Sequence, residues 1–166
     1  VAVDREARML AAARERLEGQ GNVTFREGEL EALPLEDASL DLAFLVLVLH
    51  LVPDPPAVLA EAARTLVPGG RLVVLDMRPH DRDAWRSEMG HLWTGFEPST
   101  VAGWMEAAGL EGVATHRLPP EPGAQGPLLF TATGRRPRAP RRGAPDPADG
   151  SLRGVRDEPN PSPLRG

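Results

Sequence analysis

Two apolar runs decide how the chain folds: Asp41-Leu-Ala-Phe-Leu-Val-Leu-Val-Leu-His50 and Leu66-Val-Pro-Gly-Gly-Arg-Leu-Val-Val-Leu-Asp76. The first is almost wholly apolar and does not alternate, the pattern of a strand buried on both faces of a parallel sheet. Pro53, Pro55 and Pro56 interrupt it, and Pro56 suits the first turn of a helix. Val58, Leu59, Ala62, Ala63 and Leu66 then recur at helical spacing. Pro68-Gly69-Gly70 is read as the end of that helix, and Arg71 to Leu75 as a second apolar strand. Strand, helix and strand over about 35 residues make a βαβ unit with a right-handed crossover.

The same alternation extends toward the N-terminus. Val1 to Val3 reads as a strand, Arg5 to Leu17 as a helix with Ala7, Leu10, Ala11 and Arg14 on its 3.6-residue period, and Val23 to Phe25 as a β-prone strand. Gly28 to Pro34 is a loop. Beyond Asp76 a polar loop precedes two expected helices, 84–92 and 97–108, the second striped by Val101, Trp104, Met105 and Ala108. Residues 111–117 and 127–133 read as a closing antiparallel pair. The expected class is α/β, a Rossmann-like sheet that is mostly parallel with a C-terminal antiparallel hairpin.

Composition narrows the function. The chain of 166 residues has no cysteine, which excludes disulfides, thiolate metal ligands and a cysteine nucleophile. Its 19 basic residues are all arginine, and eight of them fall in residues 135–166 against four acids. Residues 1–134 hold 11 arginines against 20 acids, which disfavours a nucleic-acid substrate for that part. With seven prolines, four glycines and no apolar period, 135–166 is expected to be a disordered tail behind a domain spanning 1–134. No apolar run approaches the ~20 residues of a membrane span, so no membrane partner and a cytoplasmic location are expected. The four histidines lack metal-ligand spacing, so no metal site is expected.

Gly28-Glu-Leu-Glu-Ala-Leu-Pro34, Asp41 leading into the apolar strand, Leu49-His50, and Leu66-Val-Pro-Gly-Gly-Arg-Leu72 occur in an order and spacing that resembles class I S-adenosylmethionine-dependent methyltransferases. The likeness is to the methyltransferase type 11 branch that includes the quinone-biosynthesis enzymes, and it covers roughly residues 1–134. Gly90-His-Leu-Trp-Thr-Gly-Phe96 is similar to segments of methyltransferase domains fused to winged-helix regulators of the arsenical-sensor type. The resemblance implies methyl transfer from S-adenosylmethionine to a small-molecule acceptor. It leaves open a non-catalytic ligand-binding domain of a regulator, with a DNA-binding module upstream, and an inactive fragment. The chain begins with Val1 and contains no Gly-x-Gly-x-Gly. The family's first strand and glycine-rich loop are therefore expected to precede Val1, and the 166-residue chain alone is expected not to catalyse methyl transfer, with micromolar-range cofactor binding only when that upstream segment is present.

The resemblance also nominates residues. Asp4, after the first strand, is the ribose-binding acid; it is equally placed to cap a helix. Met9 corresponds to a residue that packs on adenine, or belongs to the core. Glu29, where relatives carry aspartate, would accept from the adenine amino group with the Leu30 N–H reaching a ring nitrogen; otherwise it is a solvated loop acid. Leu45 and Val46 would border the methionine moiety, although a core strand is their plainer reading. His50 and His91 are candidate bases, with a structural role preferred for His50. Trp93 and Phe96 are expected on the acceptor side.

Overall fold

A computed structural model describes residues 1–120, 122, 123 and 125–138 of the chain, with Ser87 described in its backbone alone. Six strands and four helices follow in the order β1 (Ala2–Asp4), α1 (Ala7–Arg16), β2 (Phe25–Glu27), β3 (Leu40–Val46), α2 (Pro55–Thr65), β4 (Leu66–Met77), α3 (Ala84–Glu88), α4 (Pro98–Ala107), β5 (Glu111–Arg117) and β6 (Leu129–Arg135). A 3₁₀ turn, Leu49–Leu51, links β3 to α2. The expected tail lies outside the described residues from 139 onward. Arg135, however, completes β6, and the Arg136 guanidinium donates to the Arg64 and Leu66 carbonyls.

The strands form two sheets. β1 and β2 pair in parallel; β3, β4, β6 and β5 follow in that spatial order, parallel between β3 and β4 and antiparallel across β4–β6 and β6–β5. β6 therefore inserts between β4 and β5, and the sheet is mixed as expected. An apolar cleft of about 220 Å³ lies between the β1 side, at Val1 and Val3, and the β3 side, at Leu40, Leu42 and Phe44.

The register puts Ala43 and Leu45 of β3, Leu72, Val74 and Asp76 of β4, and Phe130, Ala132 and Gly134 of β6 on one face. Helices α2 and α4 cover it, burying Val58, Leu59, Val101 and Met105 completely or almost so. Gly134 permits the approach of α4: a Cβ there would stand 3.1 Å from Met105 Cε and 3.2 Å from Leu110 Cβ. The opposite face differs from expectation. Leu42, Phe44 and Val46 are 45, 62 and 49% exposed, so β3 is buried on one face only. An apolar run without alternation does not report which face a helix covers.

Two terminators act differently from their sequence reading. Helix α2 begins at an Asp54 cap, whose Oδ1 accepts the Ala57 N–H at 3.1 Å, and ends at Thr65, before Pro68-Gly69-Gly70. Leu66 is already extended and pairs with Leu40, while the next partners are Leu42 and Arg71. The Pro-Gly-Gly segment is thus a bulge inside β4, consistent with Pro68 pushing Val67 out of the helical region. Helix α3 spans five residues instead of nine, because Gly90 takes φ +72° just beyond it.

Candidate functional site

The chain leaves β3 through an unfavourable conformation. Leu47 has φ +54°, in the left-handed region that bulky side chains avoid, and its N–H is held by the Leu75 carbonyl at 2.8 Å. This turn starts a six-residue wall, Leu47–Val52, with a pocket on each side. Val48, Leu51 and Val52 line one; Leu47 and His50 line the other. Both lie at the carboxyl ends of parallel strands, where open α/β sheets bind ligands.

The first pocket, about 370 Å³, gathers Asp4, Met9, Glu29 and Leu30 against that wall. Pairing of β1 with β2 continues through the Gly28 N–H to the Asp4 carbonyl, 3.1 Å, which sets Glu29 beside the end of β1. Asp4 Oδ1 accepts the Glu6 N–H at 2.8 Å, so this acid organises the start of α1 while facing the pocket. Arg5 and Glu29 form a loose ion pair at 4.0 Å, both largely exposed. Met9 is 58% exposed and not a core residue. Leu45 and Val46 lie outside this pocket: Leu45 belongs to the buried core and Val46 to the open sheet face. Val48, Leu51 and Val52 replace them as the apolar wall. The sequence reading missed these three because the turn at Leu47, which nothing in the residue types announces, swings the chain after β3.

The second pocket, about 520 Å³, is mostly apolar and is closed by residues 118–120 and 126–129. His50 is part of its lining and contacts Asp76, which is not; the two are 4 and 0% exposed. Asp76 Oδ1 is 2.9 Å from His50 Nδ1 and also accepts the Met77 N–H at 2.7 Å, while Oδ2 accepts the Leu49 N–H at 3.0 Å. A carboxylate accepting two backbone N–H groups is held as an acceptor, so the proton of neutral His50 sits on Nδ1 and the lone pair on Nε2. The His91 ring lies 4.4 Å from that of His50 and edge-on to Trp85. His91 Nδ1 is buried without a protein partner among the described residues. Burial, and then the neighbouring His50 and His80, hold His91 below the usual imidazole range. His80 is lowered in the same way, by burial and then by Arg82.

Trp93 and Phe96 do not line this pocket. Phe96 is 5% exposed, packs in the core and meets Trp104 edge-on; the Trp93 indole N–H donates to the Val52 carbonyl at 2.9 Å. Their segment serves the site differently. The Leu92 and Trp93 N–H groups donate to the His50 carbonyl and pin the wall from behind. Gly95, at φ +87°, lets the chain pass the end of β4, where a Cβ would lie 2.3 Å from the Arg78 carbonyl oxygen. Asp76, missed as a site residue, follows an unbroken apolar strand, and an acid in that position is the one signal that could have found it. His116 is exposed on β5, and no group of three or more acidic or histidine residues able to hold a metal occurs among the described residues.

The fold is that of a Rossmann-like methyltransferase. Residues 1–74 match the family model described as a methyltransferase domain. The chain is similar to a ubiquinone/menaquinone biosynthesis C-methyltransferase of Methylobacterium nodulans, 33% identical over 66% of this chain and 54% of that protein. Among solved structures it resembles an S-adenosylmethionine-dependent methyltransferase of Thermotoga maritima, with TM-score 0.65 and 24% identity over 82% of this chain and 72% of that one. It also resembles a [4+2]-cyclase, with TM-score 0.68 and 17% identity over 82% of this chain and 65% of that one. The chain is thus similar to class I S-adenosylmethionine-dependent methyltransferases in its first 74 residues and in its fold. The chain spans about half the length, or less, of the curated relatives it matches.

Proposed function

We propose that the chain contributes to methyl transfer from S-adenosylmethionine to a small-molecule acceptor. The observation that carries this reading is the shared wall. Leu47 and His50 face one pocket and Val48, Leu51 and Val52 the adjacent one; the latter is rimmed by carboxylates, and the former is mostly apolar with a histidine in its lining. A two-substrate transfer requires such neighbouring sites, because its acceleration comes mainly from holding two reactants in register.

The residues of the first pocket suit the cofactor. The Asp4 carboxylate can accept from ribose hydroxyls, Glu29 from an adenine amino group, and Leu30, Val48, Leu51 and Val52 offer apolar surface to the base. When bound, S-adenosylmethionine would supply a sulfonium methyl group as the electrophile. The chain's own part is to bind the nucleoside end, to keep water from the apolar pocket and to present the acceptor. The likeness to a cyclase shows that the fold hosts other chemistry, so the reading rests on the pockets.

The test is calorimetric titration of the full-length protein with S-adenosylmethionine. Charge-assisted hydrogen bonds contribute ~1.5–3 kcal/mol, so Asp4→Ala should weaken binding by about ten- to a hundred-fold. Glu29→Gln should have a smaller effect, since the amide oxygen still accepts. Unchanged affinity in Asp4→Ala would remove this pocket as the cofactor site.

A further inference from the structure

We infer that His50 is the base that takes a proton from the acceptor, that Asp76 is the residue positioning it, and that the apolar pocket beside them receives an apolar oxygen acid. The inference rests on the methyl-transfer reading above and deepens it at the acceptor side.

Three observations converge. Asp76 is fully buried, and its carboxylate is spent on two backbone N–H groups and His50 Nδ1, which fixes the tautomer and leaves the basic lone pair on Nε2. His50 lines a cavity of about 520 Å³ whose other walls include Met77, Trp85, Pro127 and Leu129. A basic nitrogen in the lining of a mostly apolar cavity selects an apolar molecule that donates one hydrogen bond. Beside it, His91 is 6% exposed and its Nδ1 has no protein partner among the described residues, so a second polar position awaits a ligand atom or a water. A purely structural histidine would not need a cavity at its ring or a neighbouring imidazole with a buried nitrogen left without a protein partner among the described residues.

The step balances without a further reactant. His50 Nε2 takes the acceptor's O–H proton, and the oxygen lone pair forms the new bond to the methyl carbon while the sulfur–carbon pair stays on sulfur. An alcohol-type acid and a sulfonium become a methyl ether, a neutral thioether and one imidazolium. Asp76 stabilises that imidazolium, which then returns its proton to solvent. An acceptor that is already an anion gains nothing from the base, and this defines the test.

4-Nitrophenol is the probe, because its phenolate has a distinct visible absorbance. Added to the full-length protein about one pH unit below its own pKa, it should bind saturably and quench Trp85 fluorescence. Trp85→Phe should remove that part of the quenching. Binding should raise the phenolate absorbance in the wild type and not in His50→Gln or Asp76→Asn; in the latter an amide N–H facing Nδ1 reverses the tautomer. Binding without phenolate, or equal phenolate in all three proteins, overturns the base assignment; absence of saturable quenching overturns the pocket.

Methyl-transfer rates then give the second arm. With phenols of graded acidity, His50→Gln should lower kcat by about 10²–10⁴-fold for weakly acidic phenols and by less than about threefold for those already ionised. S-adenosylmethionine affinity should not change. An equal loss across the series would mark His50 as a structural residue. If the wild type ionises nitrophenol but binds no S-adenosylmethionine, the methyl-transfer reading fails while the site stands.

Discussion

The chain has two regions built on different terms. Residues 40–136 form a sheet whose covered face is packed by α2 and α4, and nearly every fully buried side chain belongs to them. Residues 1–37 form a two-stranded sheet under one helix, with Leu10 as their sole buried residue and Leu30 as the sole side chain they lend to the main core. Yet the first pocket draws Asp4, Met9 and Glu29 from the lightly packed region and Val48, Leu51 and Val52 from the rigid one. Stability and cofactor recognition are therefore distributed unequally. Phe130→Ala, which empties the centre of the main core, should cost ~3–5 kcal/mol in urea unfolding. Leu10→Ala should cost about 2 kcal/mol, with faster amide exchange confined to β1, α1 and β2. Equal, global losses from the two variants would show one cooperative unit and break the comparison.

What joins the regions is specific. Arg64, on α2, donates through Nε and one terminal nitrogen to Glu61, through the other to Asp37 at 2.5 Å, and to the Leu35 carbonyl at 2.9 Å. Glu61 Oε1 in turn accepts the Leu33 N–H at 2.8 Å. Together they fasten the 33–37 loop, which follows the pocket residues Glu29 and Leu30, to the main body. Arg64→Met keeps the length of the side chain and removes the fork. It should speed amide exchange in residues 33–38, leave β4 and β6 protected, and weaken S-adenosylmethionine binding about tenfold, ~1.4 kcal/mol. Unchanged exchange in the loop would mean that the regions are joined elsewhere.

The same division decides what was legible in the sequence. The order of elements from β1 to β6 could be read because apolar period and Pro/Gly punctuation are local properties. Asp4, Met9, Glu29 and Leu30 line one pocket, because the parallel pairing of β1 with β2 sets the start of α1 beside the segment after β2. The errors concern contacts between distant segments. Phe44 and Phe96 are both aromatic in apolar surroundings, yet one is exposed and the other is core, since only one sheet face carries helices. Gly70 looked like a helix stop, whereas the helix had ended at Thr65 and the glycine admits the carbonyls of Leu40 and Asp41. His50 and Asp76 are 26 positions apart, and only the parallel register of β3 with β4, which sets Val46 beside Leu75, makes them partners.

The smallest expected effects are the ones that report on each region separately, through pH. His91 belongs to the well-packed side, where burial foremost, then His50 and His80, depress its basicity, against a smaller opposing effect of Asp76. Above the ordinary imidazole value of 6.5, folded and unfolded chains are both neutral at this residue, so it adds no pH dependence to stability there. As pH falls below 6.5 the unfolded chain takes a proton that the folded chain resists, and stability declines until the lowered folded value is passed, after which the loss is complete. Glu61 belongs to the joint. Its hydrogen bond from Arg64, above all, and then that from the Leu33 N–H hold it below the ordinary carboxylate value of 4.5 against its own burial. Its contribution is present above 4.5 and disappears as pH falls through the lowered folded value. Urea unfolding from pH 8 to pH 3 should thus show two separate declines, and the variants should divide them. His91→Gln should reduce the upper one, which His80 shares, and spare the lower, while Glu61→Gln should flatten the lower and spare the upper. Amide exchange at the acid end should first rise in residues 33–38, before β4 and β6 respond. If Glu61→Gln instead flattens the upper decline, or if the loop and the core open together, the joint is part of the core and the two regions are one.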